Sequence, residues 1–307
     1  MKDNIKTEKR INKKLLYAVA IILIALIYAV GSASGLWGED PGVTLGVDAD
    51  TDGFAVHYID VGQGDCSLVV CNGKTLLIDG GENEHETKVI NYLRSLKIEK
   101  LDYIIATHPH TDHIGGLPEV LSEFGADKII MPRISKELTP TNSTYTALLK
   151  AIKASGAKAI PACVGQTYEL GGAVFEILAP ISYDADNLNN FSVVTRLIYG
   201  GKSFLFTGDA ETKEEAEIIA GGAQLKSDVI KVGHHGSKTS SSKKFLEAVM
   251  PEICIIMCGE DNDYGHPHES VLKRIANYTD RIYRTDICGD IVIRSDGNGL
   301  SVEYENQ

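Results

Sequence analysis

Three apolar runs in this chain each stop at residues able to bind a metal ion, and that coincidence restricts the fold more than any other feature. Residues 101–106 are followed by Thr107-His108-Pro109-His110-Thr111-Asp112-His113-Ile114-Gly115-Gly116. Phe204-Leu205-Phe206 leads through Thr207 and Gly208 to Asp209, and residues 229–232 lead through Gly233 to His234 and His235. Neutral imidazole and carboxylate are the donors that borderline divalent cations prefer. Each piece alone has an ordinary reading, as a solvated histidine-rich turn or an aspartate capping the next helix. Three strand ends offering the same chemistry are hard to obtain from structural needs. The fold must bring them to one edge.

The rest of the chain supplies such a fold. Short β-branched runs at residues 55–59, 66–70, 75–78, 103–106 and 128–131 alternate with helical patterns near 84–96, 118–124 and 143–154. A second series follows at 174–178, 193–199, 203–207, 229–232, 253–257, 282–285 and 291–294, with helical patterns at 213–219, 243–249 and 269–277. Gly200-Gly201 between two apolar runs signals a hairpin. Two successive series of this kind predict an α/β protein of four layers, αββα, with two sheets face to face and helices outside.

The N-terminus has a different character. Six basic side chains against two acidic ones fall in residues 1–14, and residues 15–38 carry no charge. An apolar run of that length spans a bilayer of roughly 30 Å at about 1.5 Å per residue. Basic residues before it place residues 1–14 in the cytoplasm and the bulk outside, as a single-pass membrane protein. A cleaved signal peptide is the competing reading, which would make the protein secreted, because Gly31-Ser32-Ala33 resembles a cleavage site. Residues 39–53, rich in Asp, Gly and Thr, read as a linker, and residues 54–307 as one domain. Net charge is −12 despite the basic start, so no global field draws polyanions to the folded part. The six cysteines fit no CxxC zinc pattern and read as small buried hydrophobes rather than as a defined bridge.

The ordered set HxHxDHxGG, TGD and HHG resembles the metallo-β-lactamase superfamily over residues 54–304. Finer motifs resemble its ComEC-like branch, the hydrolase-like domain of bacterial DNA-uptake proteins. These are Asp60-Val61-Gly62-Gln63-Gly64-Asp65, Leu77-Ile78-Asp79-Gly80-Gly81, Asn189-Asn190-Phe191-Ser192, Lys231-Val232-Gly233-His234-His235-Gly236-Ser237-Lys238 and Tyr264-Gly265-His266-Pro267-His268.

The resemblance implies two divalent metal ions, zinc or manganese. His108 and His110 would hold the first, Asp112, His113 and His234 the second, and Asp209 would bridge them. Many relatives complete the first site with a further histidine. No histidine occurs here between residues 114 and 233, so that site is expected to be weak. Asp112 would accept a proton from the attacking water, and His266 or His268 would protonate the leaving group. Asp60, Asp65, Asp79 and His235 are expected to orient ligands and loops from behind. Asn190, Ser192, Ser237 and Lys238 are expected to contact a phosphate. The Ser/Thr/Lys run after His235 suits an anion-binding loop, and equally a plain helix start with Ser242 as cap. His57 and His85 lack companions and read as packing or surface residues.

These features predict an extracytoplasmic phosphodiesterase or nuclease acting on DNA or nucleotides. An acyl hydrolase of the same fold and a non-catalytic binding subunit are the alternatives.

Overall fold

A computed structural model describes residues 53–183 and 186–306, and the expected anchor in residues 15–38 lies outside them. Among the described residues no helix is long and apolar enough to cross a membrane. The described residues belong to one compact unit.

The chain forms β1 (Phe54–Tyr58), β2 (Ser67–Cys71), β3 (Lys74–Ile78), β4 (Leu101–Ile105), β5 (Ala126–Met131) and β6 (Lys158–Pro161), then β7 (Thr167–Leu170) and β8 (Ala173–Ile177). It continues with β9 (Thr195–Tyr199), β10 (Lys202–Phe206), β11 (Val229–Lys231), β12 (Ile253–Ile256), β13 (Ile282–Arg284), β14 (Ile291–Ser295) and β15 (Leu300–Tyr304). They make two sheets, ordered β15-β14-β1-β2-β3-β4-β5-β6 and β13-β12-β11-β10-β9-β8-β7. The predicted hairpin is present, with Tyr199 opposite Lys202 across Gly200-Gly201.

Period-two alternation explains the four layers. Val69, Leu76, Ile78, Ile105 and Ile130 of the first sheet pack with Phe175, Leu197, Phe204, Phe206 and Ile255 of the second. Their neighbours Leu68, Leu77, Ile104 and Ile129 turn the other way, under the helices Glu86–Ser95, Leu117–Phe124 and Ser143–Ser155. Leu205, Ile230, Cys254 and Ile256 do the same beneath Thr212–Ala220, Lys243–Val249 and Glu269–Ile275. Strands buried on both faces must be apolar throughout, which is why they were legible as continuous runs. Each fully buried Leu, Ile, Val or Phe contributes about 1.5–3 kcal/mol relative to exposure, so the alternation fixes the register strongly.

Strands β3 to β6 run parallel to one another, and so do β10 to β13. All their C-terminal ends open on one edge of the sandwich, where ligands of α/β sheets bind. Five of the six cysteines are buried and all are free, while Cys163 is exposed, against the expectation for that one. His57 is buried as a packing residue, with Nδ1 2.9 Å from Tyr92 Oη.

Candidate metal centre

The first sheet delivers its ligands through β3 and β4. Asp79 follows β3 in a left-handed conformation (φ 60°). Its buried carboxylate accepts the Thr107 amide at 2.8 Å and the Thr107 hydroxyl at 2.6 Å. Asp79 Oδ2 also lies 2.8 Å from His113 Nδ1. An ionised carboxylate only accepts, so Nδ1 carries a hydrogen toward Asp79 and Nε2 of His113 faces the centre, where a metal ion would take the place of its proton. One buried side chain thus fixes both the loop carrying the histidines and the tautomer of one of them. Gly64 lets the preceding loop close on this segment: a Cβ there would sit 2.3 Å from the Asp112 carbonyl oxygen.

The second sheet delivers Asp209 after β10, and His234 with His235 after β11. Gly208 (φ 49°) allows the two strand ends to meet, since a Cβ would come within 3.0 Å of Thr107 and Ser192. The Asp209 amide donates to Ser192 Oγ at 3.0 Å. His234 and His235 both have positive φ, 50° and 53°, a strained pair of the kind found at functional sites. His235 Nδ1 donates to the Met257 carbonyl at 2.9 Å, which turns Nε2 inward.

The result is a group of four. Ligand atoms of Asp112, His113, Asp209 and His235 all lie within 4.8 Å of one another. His235 Nε2 is 3.2 Å from Asp112 Oδ2 and 3.6 Å from Asp209 Oδ2. His113 Nε2 is 3.2 Å from Asp209 Oδ1, yet both atoms are buried without a hydrogen-bond partner. Two buried polar atoms facing each other unpaired are what a shared cation would satisfy. The residues fit the metal.

Electrostatics agree. Burial opposes charge on His113, but Asp209, Asp112, Asp79 and Asp65 together hold its pKa well above the ordinary value. His235 is likewise pushed up to about 9 against burial, by Asp209 and Asp65. Burial also opposes charge on Asp209, and the surrounding histidines still hold its pKa well below the carboxylate range. The cluster demands positive charge.

His108, His110 and His234 border the same carboxylate less tightly. His108 Nε2 is 3.7 Å and His234 Nε2 3.6 Å from Asp209 Oδ2, and His110 Nδ1 is 3.1 Å from His108 Nε2. A cleft of about 370 Å³ opens onto His110 and His234, lined also by Gln63, Glu82, Thr111, Asp112, Asn189, Asp209, His235, Tyr264 and His266.

Several residues sit differently from expectation. His235, expected behind the ligands, brings Nε2 into the group of four, whereas His234 stays outside it, because the left-handed turn points the second ring inward. Ser192 and Asn190, expected to meet a phosphate, are buried: Ser192 accepts from Asp209, and Asn190 Oδ1 from the Glu211 amide at 3.2 Å. Ser237 is buried with its hydroxyl 3.1 Å from that of Thr239. The amides of Ser241 and Ser242 donate to the Glu215 carboxylate, and Ser242 caps the next helix through Phe245 N. That loop is therefore a pinned helix start, from which Lys238 remains exposed. Asp60 braces its own turn, accepting from Gly62 N at 3.0 Å with Lys88 nearby, away from the cluster.

Of the two expected acids, His266 lines the cleft and His268 does not. Burial, with His235, His234 and His268, lowers His266 to about 4, so at neutral pH it lines the cleft as a neutral ring. His268 Nδ1 accepts the Lys238 amide at 3.3 Å, outside the cleft lining.

Lys231 was not anticipated. Its ammonium is buried, ion-paired to Asp65, 3.1 Å from the Gly208 carbonyl and 3.9 Å from Asp209 Oδ1. The signal was available: a lysine inside an otherwise apolar buried strand is paired or functional.

The sequence matches the family model of the metallo-β-lactamase superfamily over residues 59–260. The chain belongs to the metallo-β-lactamase superfamily. This places it among metal-dependent hydrolases, and the fold implies divalent metal binding at the strand-end cluster. Its relatives put it in the ComEC-like competence branch. It is 32% identical to ComE operon protein 3 of Bacillus subtilis, over 78% of this chain and 33% of that protein. It is 33% identical to competence protein ComA of Neisseria gonorrhoeae, over 76% of this chain and 31% of that one. The chain thus spans about a third of the length of these relatives. Among solved structures, the diiron β-hydroxylase CmlA of Streptomyces venezuelae superposes with a TM-score of 0.56 at 14% identity, covering 80% of this chain and 54% of that one. That likeness shows a shared fold alone.

Proposed function

We propose that this protein is a metal-dependent phosphodiesterase acting on DNA or nucleotides outside the cell membrane. The observation that carries the reading is the group Asp112, His113, Asp209 and His235 at the floor of an open cleft. Relatives named for competence and recombination, the latter from Haemophilus influenzae at 31% identity, point to DNA as the polymer. The uncharged residues 15–38 behind a basic start support a membrane anchor.

Those four residues would hold the tighter of two divalent ions, zinc or manganese. His108, His110 and His234, which border Asp209, would hold a looser one. When bound, the ions supply Lewis acidity and a lowered pKa for water. The chain's own groups do the rest. Asp79 and the Met257 carbonyl hold His113 and His235 with Nε2 inward. Asp112, half-buried on the cleft wall, is held below the usual carboxylate range by His113 and His235 despite burial, and is an ionised acceptor for an incoming water. The neutral His266 ring lines the wall where a leaving-group oxygen would emerge.

The test is hydrolysis by the full chain, with Mn²⁺ or Zn²⁺, of bis-p-nitrophenyl phosphate, single-stranded DNA and nitrocefin. Chelator-sensitive cleavage of the two phosphodiesters is expected. Cleavage of nitrocefin alone would make the protein an acyl hydrolase, and bound metal with no cleavage would make it a binding subunit.

A further inference from the structure

The cleft has one wall that metal chemistry does not use. Tyr264 is 67% exposed, among the most exposed large side chains described, although it lines the same cleft as Asp209 and His235. An aromatic ring at a site mouth offers a flat apolar face with a polar tip to whatever enters the cleft. Its position is not loose. The Tyr264 ring stacks on His266 with centroids 5.6 Å apart and planes 17° from parallel. Asn262 braces the loop beneath: its Oδ1 accepts the His266 amide at 2.9 Å, and its Nδ2 donates to the His266 and Gly259 carbonyls at 2.6 and 2.8 Å. His266 in turn lies 5.5 Å from the His234 ring and 6.2 Å from the His235 ring. Rings therefore run in sequence from the ligand histidines to the cleft mouth, and the last one is open to solvent.

We propose that Tyr264 is a stacking platform for the nucleobase next to the scissile phosphate. The proposal rests on the phosphodiester reading above. With the phosphate at the cluster, a base of the bound strand would lie along the wall of the same cleft, where the Tyr264 ring is open to solvent and already backed by the near-parallel His266 ring. Stacking uses the π-face that every base has, so this subsite selects nucleic acid over base-free phosphodiesters without reading sequence. It also supplies affinity that a protein of net charge −12 does not obtain from long-range attraction.

The experiment is a binding titration of the full chain in Mn²⁺, so it does not depend on turnover. The probes are a short single-stranded phosphorothioate oligonucleotide carrying 2-aminopurine, whose fluorescence falls on stacking, and the same strand with abasic sites. Expected are quenching and about 10- to 100-fold tighter binding of the base-bearing strand. Tyr264→Phe should keep this preference and Tyr264→Ala should abolish it, leaving abasic binding unchanged. Equal binding of the two strands by the wild type, an unchanged preference in Tyr264→Ala, or no binding of either strand overturns the proposal. Cleavage of bis-p-nitrophenyl phosphate without base preference would sink the stacking site alone. Base preference without any cleavage would sink the hydrolase reading alone.

Discussion

The ammonium of Lys231 and the carboxylate of Asp65 form an ion pair sealed beneath the strand ends, with both side chains buried. Asp65 Oδ1 lies 3.3 Å from His235 Nδ1, and Lys231 also holds the Gly208 carbonyl, so the pair ties β11 to the loop carrying Asp209. Removing one partner leaves a buried charge uncompensated, which costs about 3–5 kcal/mol. Lys231→Met should lose that much in urea unfolding, and adding Asp65→Asn should restore part of it. A loss below about 1 kcal/mol in the single variant would mean that water reaches the site.

The two adjacent histidines should separate by metal affinity. His235→Ala removes a member of the group of four and should abolish the tight ion in a calorimetric zinc titration. His234→Ala should keep that ion and weaken only the second. The reverse order would return the ligand role to His234.

Acid stability offers a test far from the metal. Burial first, then Arg294, lowers His57 to about 3. The unfolded chain takes up this proton near pH 6.5, and the folded chain only near 3. Stability is therefore present above about 6.5 and is lost as pH falls toward 3, on the order of 5 kcal/mol in all. His57→Gln should flatten the dependence of the unfolding midpoint over that window. Equal slopes in both proteins would place a charged His57 in the fold.

The strands that sequence left unseen share a place. β6, β7 and β15 are edge strands of their sheets, half-exposed, with sequences such as KAIP and TYEL that carry no unbroken apolar run. Central strands announce themselves because both faces are buried; of the edge strands only β13 did. The metal cluster was legible because three strand ends shared one chemistry. The split between His234 and His235 was not, since it depends on two successive left-handed residues. The resemblance implied phosphate contacts for Ser192 and Asn190, and here they hold the Asp209 loop instead.

The central claim is that Asp209 organises a metal centre from both sheets, and the most direct measurement is an equilibrium metal titration of the full chain beside Asp209→Asn, with circular dichroism to confirm the fold. The wild type should take up one tight and one weaker divalent ion, and the variant should bind neither tightly while keeping its secondary structure. Undiminished tight binding by the folded variant, or no binding by the wild type, would contradict it.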